Sequence, residues 1–275
     1  MVERLVAQGA LRSEPIKAAM LEVPRHVFAP WLTLEEAYSD KAHVLPESTP
    51  ATVSTISAPS AVTLMLEHAT PEPGQRILEI GTGTGYNAAL LAHLTGASGA
   101  VTTVDIEAFA VERARDHLQR AGIAGVNVVH GDGGLGHAPG APYDWVVATV
   151  GAWEVPVTWT QQLALSGKIA LPLHVGSKEP ELHAYTVLQQ RGDHLEGEVL
   201  DWFNMVTMRG KQGAHPQPTE PVNSSGAGFT PQRIRVLVYR RDDPDAPKAT
   251  PLRINGQRAT KVIERSATLI QLEMD

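Results

Sequence analysis

The segment Arg76-Ile-Leu-Glu-Ile-Gly-Thr-Gly-Thr-Gly-Tyr86 constrains this chain more than any other. A short apolar strand runs straight into glycines at 81, 83 and 85, and an apolar helical run, Asn87–Leu94, follows. Glycines at that spacing let a backbone turn sharply and pass close to a neighbour, because no Cβ stands in the way. The pattern then repeats. Ala100–Val104 reads as a second strand, ending at Asp105, and Ala108–Ala121 as an amphipathic helix with Gly122 where a C-cap belongs. Val126–Val129, Trp145–Val150, Lys168–Pro172 and Leu182–Gln189 read as further strands. Strands alternating with helices imply an α/β fold, a mostly parallel sheet with helices on both faces.

The flanks differ from this core. Residues 1–70 read as a helical cap, with a short helix over Arg4–Gly9 and a second starting at Glu14-Pro15 and ending before Pro24. Pro46–Pro59 is a loop rich in Pro, Ser and Thr, and helical periodicity resumes over Ala61–Leu66. Residues 212–232 combine four prolines with glycines, which is linker composition. Beyond them Ile234–Tyr239, Leu252–Ile254, Lys261–Ile263 and Thr268–Leu272 read as short strands, with Asn255-Gly256 as a hairpin turn. Residues 233–275 hold nine Lys and Arg against six acids in a chain of net charge −7, so a small basic β module follows an acidic body. The expected division is a domain over 1–211, a linker over 212–232 and the β module over 233–275.

With 275 residues, 43% of them apolar, the chain can bury a full core. No run approaches a membrane span, and the first residues lack the apolar block of a signal peptide, so a cytoplasmic protein without a membrane partner is expected. The absence of cysteine excludes disulfides, thiolate metal sites and cysteine nucleophiles. The acidic balance argues against nucleic acid as a partner.

The chemistry concentrates at strand ends. Spaced glycines after a strand serve dinucleotides or S-adenosylmethionine. The dinucleotide fingerprint needs Gly or Ala where Tyr86 stands, and no Gly-Lys-Ser/Thr follows to make a P-loop, so the spacing with Glu79 ahead of it favours S-adenosylmethionine. Asp105 sits where an acid would hydrogen-bond ribose hydroxyls, with a solvated strand-end turn as the plainer alternative. Asp132, in His130-Gly-Asp-Gly133, sits where an acid would reach the adenine amino group, with a plain Gly-Asp-Gly turn as the alternative. No G-x-S-x-G elbow exists, and the eleven histidines show no ligand spacing, so no metal is expected; His26, His43 and His174 read as surface or packing residues.

With these residues in view, the chain resembles the protein-L-isoaspartate (D-aspartate) O-methyltransferases over roughly residues 1–212. The likeness rests on Val23-Pro-Arg-His-Val-Phe28, Ile77–Tyr86, His130–Gly133, Ala141-Pro-Tyr-Asp144, Glu154-Val-Pro156 and the run from Gln162 to Pro172. Its diagnostic piece is Thr55-Ile-Ser-Ala-Pro59, which resembles that family's loop over the active site. The resemblance implies a Rossmann-like methyltransferase fold, here with a small C-terminal β appendage. It implies Ser57 and Thr55 as active-site positions, and S-adenosylmethionine contacts at Glu79, Gly81, Thr82, Gly83, Gly85, Asp105, Ile106, Asp132, Gly133, Thr207 and Gln212, with S-adenosylhomocysteine as product. A carboxylate is already anionic near neutral pH and needs no general base, so Ser57 and Thr55 are read as positioners of the substrate carboxylate. The alternative for Ser57 is a cap on the following helix.

Departures cluster on the substrate side. Pro50-Ala-Thr-Val-Ser54 stands where the family usually carries Gly and Gln, and Asn204-Met-Val206 where it carries V-P-L. With the basic tail, these changes resemble a specialised branch that methylates one Asp in a modified ribosomal peptide, whose ester then cyclises to an aspartimide. General repair of isoaspartyl-damaged proteins, and an inactive fold serving as a peptide-binding module, are the alternatives.

Overall fold

A computed structural model describes residues 1–174, 182–191 and 194–210, together with the strands at 234–240, 252–254, 257–259, 264–265 and 268–274. Helices α1 (Val2–Ala7), α2 (Glu14–Glu22) and α3 (Leu34–Ala37) precede a two-residue pair, β1 (His43–Val44) with β2 (Thr55–Ile56), and then α4 (Pro59–Ala69). The α/β core follows as β3 (Arg76–Ile80), α5 (Tyr86–Thr95), β4 (Ala100–Asp105), α6 (Ala108–Arg120), β5 (Val126–His130), β6 (Tyr143–Ala148), α7 (Val157–Gln161) and β7 (Leu163–His174). Antiparallel strands β8 (Leu182–Arg191) and β9 (His194–Asn204) extend it. Strands β10 (Ile234–Arg240), β11 (Leu252–Ile254), β12 (Gln257–Ala259), β13 (Glu264–Arg265) and β14 (Thr268–Met274) complete the described elements.

The main sheet runs in the order β5-β4-β3-β6-β7-β8-β9-β10-β14-β13. Strands β5 to β7 are parallel, with β3 hydrogen-bonded to β4 on one side and β6 on the other. The order of connection reverses between β3 and β6. In open α/β sheets a crevice opens outside the carboxyl ends of the strands at such a reversal. Successive side chains of a strand face opposite ways, and the core divides accordingly. Ile77, Val147 and Tyr185 pack with α2, α4 and α5, while Leu78, Val146, Ile169 and Trp159 pack on the other face.

The α/β class stands, a Rossmann-like methyltransferase fold. Most elements match their expected spans, and Gly122, at φ +67, follows α6 as anticipated. Strand β6 ends at Ala148 rather than Val150, and β7 begins at Leu163 rather than Lys168, with a register shift in the β6–β7 ladder. Strand β9 was not anticipated. Glu196, Gly197, Glu198 and Asp201 interrupt its apolar content, although the buried Leu195 and Val199 share one face. Strand β10 pairs with β9 through Val238 and Leu195, so the tail's strands continue the main sheet. The expected linker at 212–232, the turn at Asn255-Gly256 and the strand over Lys261–Ile263 lie outside the described residues.

Trp159 ties the second core face to the site. Its fully buried indole donates from Nε1 to the Gly133 carbonyl at 2.8 Å. Trp159→Phe should leave that carbonyl with the Gly136 N–H as its remaining donor and cost about 0.5–1.5 kcal/mol. Trp159→Ala should cost about 3–5 kcal/mol through the added cavity. Urea unfolding at equilibrium measures both, and a Trp159→Phe variant of unchanged stability would mean the hydrogen bond contributes nothing.

Candidate functional site

Gly81, Gly83 and Gly85 have φ of +93, +53 and +84, which side-chain-bearing residues rarely adopt. Space is equally short. A Cβ on Gly81 would stand 2.7 Å from Thr149 Oγ1, one on Gly83 3.0 Å from the Thr55 carbonyl, and one on Gly85 3.1 Å from Ala114 Cβ. The first two glycines therefore let β6 and the Thr55 loop close on the turn, and the third lets α6 pack against the start of α5.

What holds this turn is Asp105. Its Oδ2 accepts from the backbone N–H groups of Thr82 at 2.9 Å and Gly83 at 3.0 Å, and its Oδ1 accepts from Glu107 N–H at 2.9 Å. Asp105 is 8% exposed, which corrects the expectation of a solvated strand-end acid.

Glu79 lies beneath the turn, fully buried. Thr103 donates its hydroxyl to Oε2 at 2.5 Å and Asn87 donates Nδ2 to Oε1 at 2.7 Å. The Thr82 and Thr103 hydroxyls are 2.7 Å apart. Burial pushes the Glu79 carboxyl up to about 7, against the opposing pull of those two hydrogen bonds. Asn87 Oδ1, on the cleft wall, is buried with no partner among the described residues.

A cleft of about 250 Å³ opens above. Thr55, Ser57, Gly81, Thr82, Gly83, Asp105, Ile106, Gly133 and Thr207 all line it, so nine of the residues expected at the site meet at one opening. Glu79 sits below it, and Gly85 forms the N-cap of α5. Asp132 Oδ1 accepts from Gly134 N–H at 2.9 Å, and its carboxylate lies against Gly210. Gln212 falls outside the described residues. Ser57 is not a helix cap: α4 begins at Pro59 with Ala58 as N-cap and no side-chain bond. The Ser57 hydroxyl makes no hydrogen bond among the described residues and is left for the cleft.

Two arginines hold the loop over this opening. Arg209 donates from Nη1 to the Val53 carbonyl at 3.0 Å and pairs with Glu107 at 3.1 Å. Arg113 pairs with Glu47, its Nε donating at 2.8 Å, and holds that carboxyl below its usual range. Neither arginine was anticipated, nor were Thr103 and Asn87. Asn87 left one trace, a lone amide in the first turn of a largely apolar helix. No group of side chains suited to a metal ion occurs among the described residues, and no described helix is long and apolar enough to cross a membrane.

A family model for protein-L-isoaspartate(D-aspartate) O-methyltransferase matches residues 1–211. The chain belongs to that family. A protein-L-isoaspartate O-methyltransferase of Hyperthermus butylicus is 36% identical over 224 residues, covering 78% of this chain and 88% of the relative. One from Pyrococcus horikoshii is 42% identical over 173 residues, covering 62% and 75%. Among solved structures, a protein-L-isoaspartate O-methyltransferase superposes with a TM-score of 0.70 at 33% identity, covering 78% of this chain and 67% of that one. A Plasmodium falciparum beta-aspartate methyltransferase, solved with S-adenosyl-L-homocysteine, matches the fold with a TM-score of 0.63 at 20% identity, covering 76% and 96%. The chain is thus a protein carboxyl O-methyltransferase dependent on S-adenosylmethionine.

The residues present suit that cofactor. The unpartnered Asn87 acceptor can accept a hydrogen bond from an amino group, the Asp105 carboxylate lies at the cleft wall, and Ile80, Val104 and Ile106 supply apolar lining.

Two predictions test this architecture. Glu79 has a folded-state pKa near 7, above its ordinary 4.5. The protonated form is the one the fold favours, so its stability is full below about pH 4.5 and falls as pH rises towards 7, by about 3 kcal/mol. Glu79→Gln should remove that slope, read from urea unfolding at several pH values between 5 and 8. A variant with an unaltered slope would show that another group titrates. For Asp105→Ala, three backbone donors lose a charged acceptor. The expected loss is about 1.5–3 kcal/mol of stability, together with weaker S-adenosylhomocysteine binding by calorimetry. Unchanged affinity in the folded variant would remove Asp105 from the cofactor site.

Proposed function

We propose that this chain transfers the methyl group of S-adenosylmethionine to the free carboxylate of isoaspartyl residues in peptides or proteins, as a general repair activity. The observation that carries it is the meeting of Thr55 and Ser57 with the glycine turn at one cleft, the Ser57 hydroxyl being uncommitted. Bound there, S-adenosylmethionine supplies an electrophilic methyl group. Gly81, Thr82, Gly83, Asp105, Ile106, Gly133 and Thr207 would hold it, with Asp132 next to Gly133. Glu79 acts from beneath by fixing Asn87 and Thr103.

The substrate carboxylate is the nucleophile. One carboxylate oxygen forms the new bond to the methyl carbon as the carbon–sulfur bond breaks, and no proton moves. Ser57 and Thr55 need only orient that oxygen, and orientation of this kind lowers barriers by about 7–11 kcal/mol in well-aligned reactions. The names of the relatives support general repair.

One set of observations favours a narrower reading. Asn204, Met205 and Val206 line the cleft at the departures noted above, and β10 adds a strand beside β9 outside the matched residues 1–211. On this reading residues 212–232 are a linker, and the basic strands beyond serve one acidic, modified ribosomal peptide, whose Asp ester cyclises to an aspartimide.

Labelled methyl transfer to a panel of isoaspartyl peptides with unrelated flanking sequences separates the readings. Repair requires comparable kcat/KM across the panel. Weak turnover on every member, with S-adenosylhomocysteine bound by calorimetry, would overturn repair in favour of a dedicated peptide. Failure to bind the product at all would end both.

A further inference from the structure

The motif Val23-Pro-Arg-His-Val-Phe28 has no part in the reaction as described so far, yet its arginine is among the most deeply buried side chains of the molecule. Arg25 has no exposed surface. Its Nε donates to the Ala37 carbonyl at 2.7 Å and its Nη2 to the Ser57 carbonyl at 2.7 Å. Its guanidinium carbon lies 4.9 Å from the centre of the Tyr86 ring, immediately after Gly85. One planar group thus touches the end of α3, the loop carrying Ser57 and the first residue of α5.

The other end of the same turn is also held by charge. Asp40 Oδ1 accepts from the Ser60 backbone N–H at 2.9 Å. Arg25 therefore fixes the carbonyl that enters the turn 57–60, and Asp40 the N–H that leaves it. Neither touches the Ser57 hydroxyl. With its backbone anchored on the side away from the cleft, Ser57 has one place in which to present that hydroxyl.

We propose that Arg25 is a positioning residue for methyl transfer, holding Ser57 in register with the glycine turn through the Ser57 carbonyl and the Tyr86 ring. Lysine cannot replace it. A point-like ammonium on a flexible stem cannot donate to two carbonyls in one plane while its face stacks on a ring. The proposal rests on Ser57 meeting the substrate, and its test separates failure of the one from failure of the other.

The test is a double-mutant cycle in the full chain, combining Arg25→Lys with Ser57→Ala. The readouts are kcat/KM on an isoaspartyl peptide, S-adenosylhomocysteine affinity and Tm. A displacement of about 1 Å at a reacting group costs on the order of 10²-fold. Arg25→Lys alone should lower kcat/KM by that order while product affinity stays nearly unchanged. In the Ser57→Ala background the same substitution should have little further effect, because its effect passes through Ser57. Equal losses in both backgrounds, or a matching loss of product affinity, would overturn the proposal and leave Arg25 a packing residue. A neutral Ser57→Ala would instead remove Ser57 from substrate contact, and the proposal with it.

Should Arg25→Lys fail to fold, Asp40→Ala replaces it in the cycle. Asp40 is exposed, and its loss frees the far end of the same turn. It should lower kcat/KM about tenfold, as loss of one charge-assisted hydrogen bond would, and again only when Ser57 is present. An effect independent of Ser57 would count against the proposal in the same way.

Discussion

Asp105 accepts three backbone hydrogen bonds, and the site is built on that arrangement. Three glycines in five residues have little conformational preference of their own, and ordering them costs more backbone entropy than ordering other residues. The carboxylate converts this permissive segment into a fixed turn, because its oxygens sit where the N–H groups of Thr82 and Gly83 converge. Its own place is set by the sheet. Parallel pairing of β3 with β4, with Ile80 opposite Val104, delivers Asp105 to the carboxyl edge one residue beyond the last rung. Sheet register thereby becomes the shape of a ligand cleft.

Glu79 shows what such a cleft costs. A carboxyl with no exposed surface disfavours its charged form, and the hydrogen bonds from Thr103 and Asn87 recover only part of the lost hydration. The arrangement nevertheless locks three elements together. Thr103 comes from β4, Asn87 from α5, and Thr82, beside Thr103, from the turn itself. A buried acid is thus traded against rigidity in the layer directly below the reacting groups. Asn87 leaves its carbonyl oxygen unsatisfied at the cleft wall, where a ligand donor can complete the set.

How much of this was legible in the sequence follows from the range of the forces involved. Strand β3, the glycine turn and α5 announce themselves because propensity, periodicity and turn chemistry agree over the consecutive residues 76–95. The acid at the end of β4 was legible by position, but its burial was not. Three backbone donors converge on it only after two strands have paired. Strand β9 was missed for a related reason: its stability comes from a ladder with β8 running from Leu182–Asn204 to Arg191–His194, while its own sequence mixes acids and glycine with apolar residues. Arg209 and Arg113 carried no local signal. Each acts on a partner far along the chain, Val53 for one and Glu47 for the other.

The loop over the cleft is the extreme case of this dependence. Its one ladder among the described residues is the two-residue pairing of β1 with β2, too short to fix a conformation alone. The rest of its placement comes from bonds inside the loop, such as those of the Ser48 hydroxyl with the Ser54 backbone, and from cations on three separate elements: Arg25 after α2, Arg113 on α6 and Arg209 beyond β9. Two of these reach backbone carbonyls, a kind of contact that leaves loop side chains free to face the cleft. Within the segment Ser48, Thr49 and Thr52 commit their hydroxyls to the loop itself, whereas the Ser57 hydroxyl is left to face a ligand. The internal bonds shape the tip, but its seat over the cleft is supplied by the surrounding domain, because the three arginines reach it from the helical cap, from α6 and from beyond β9.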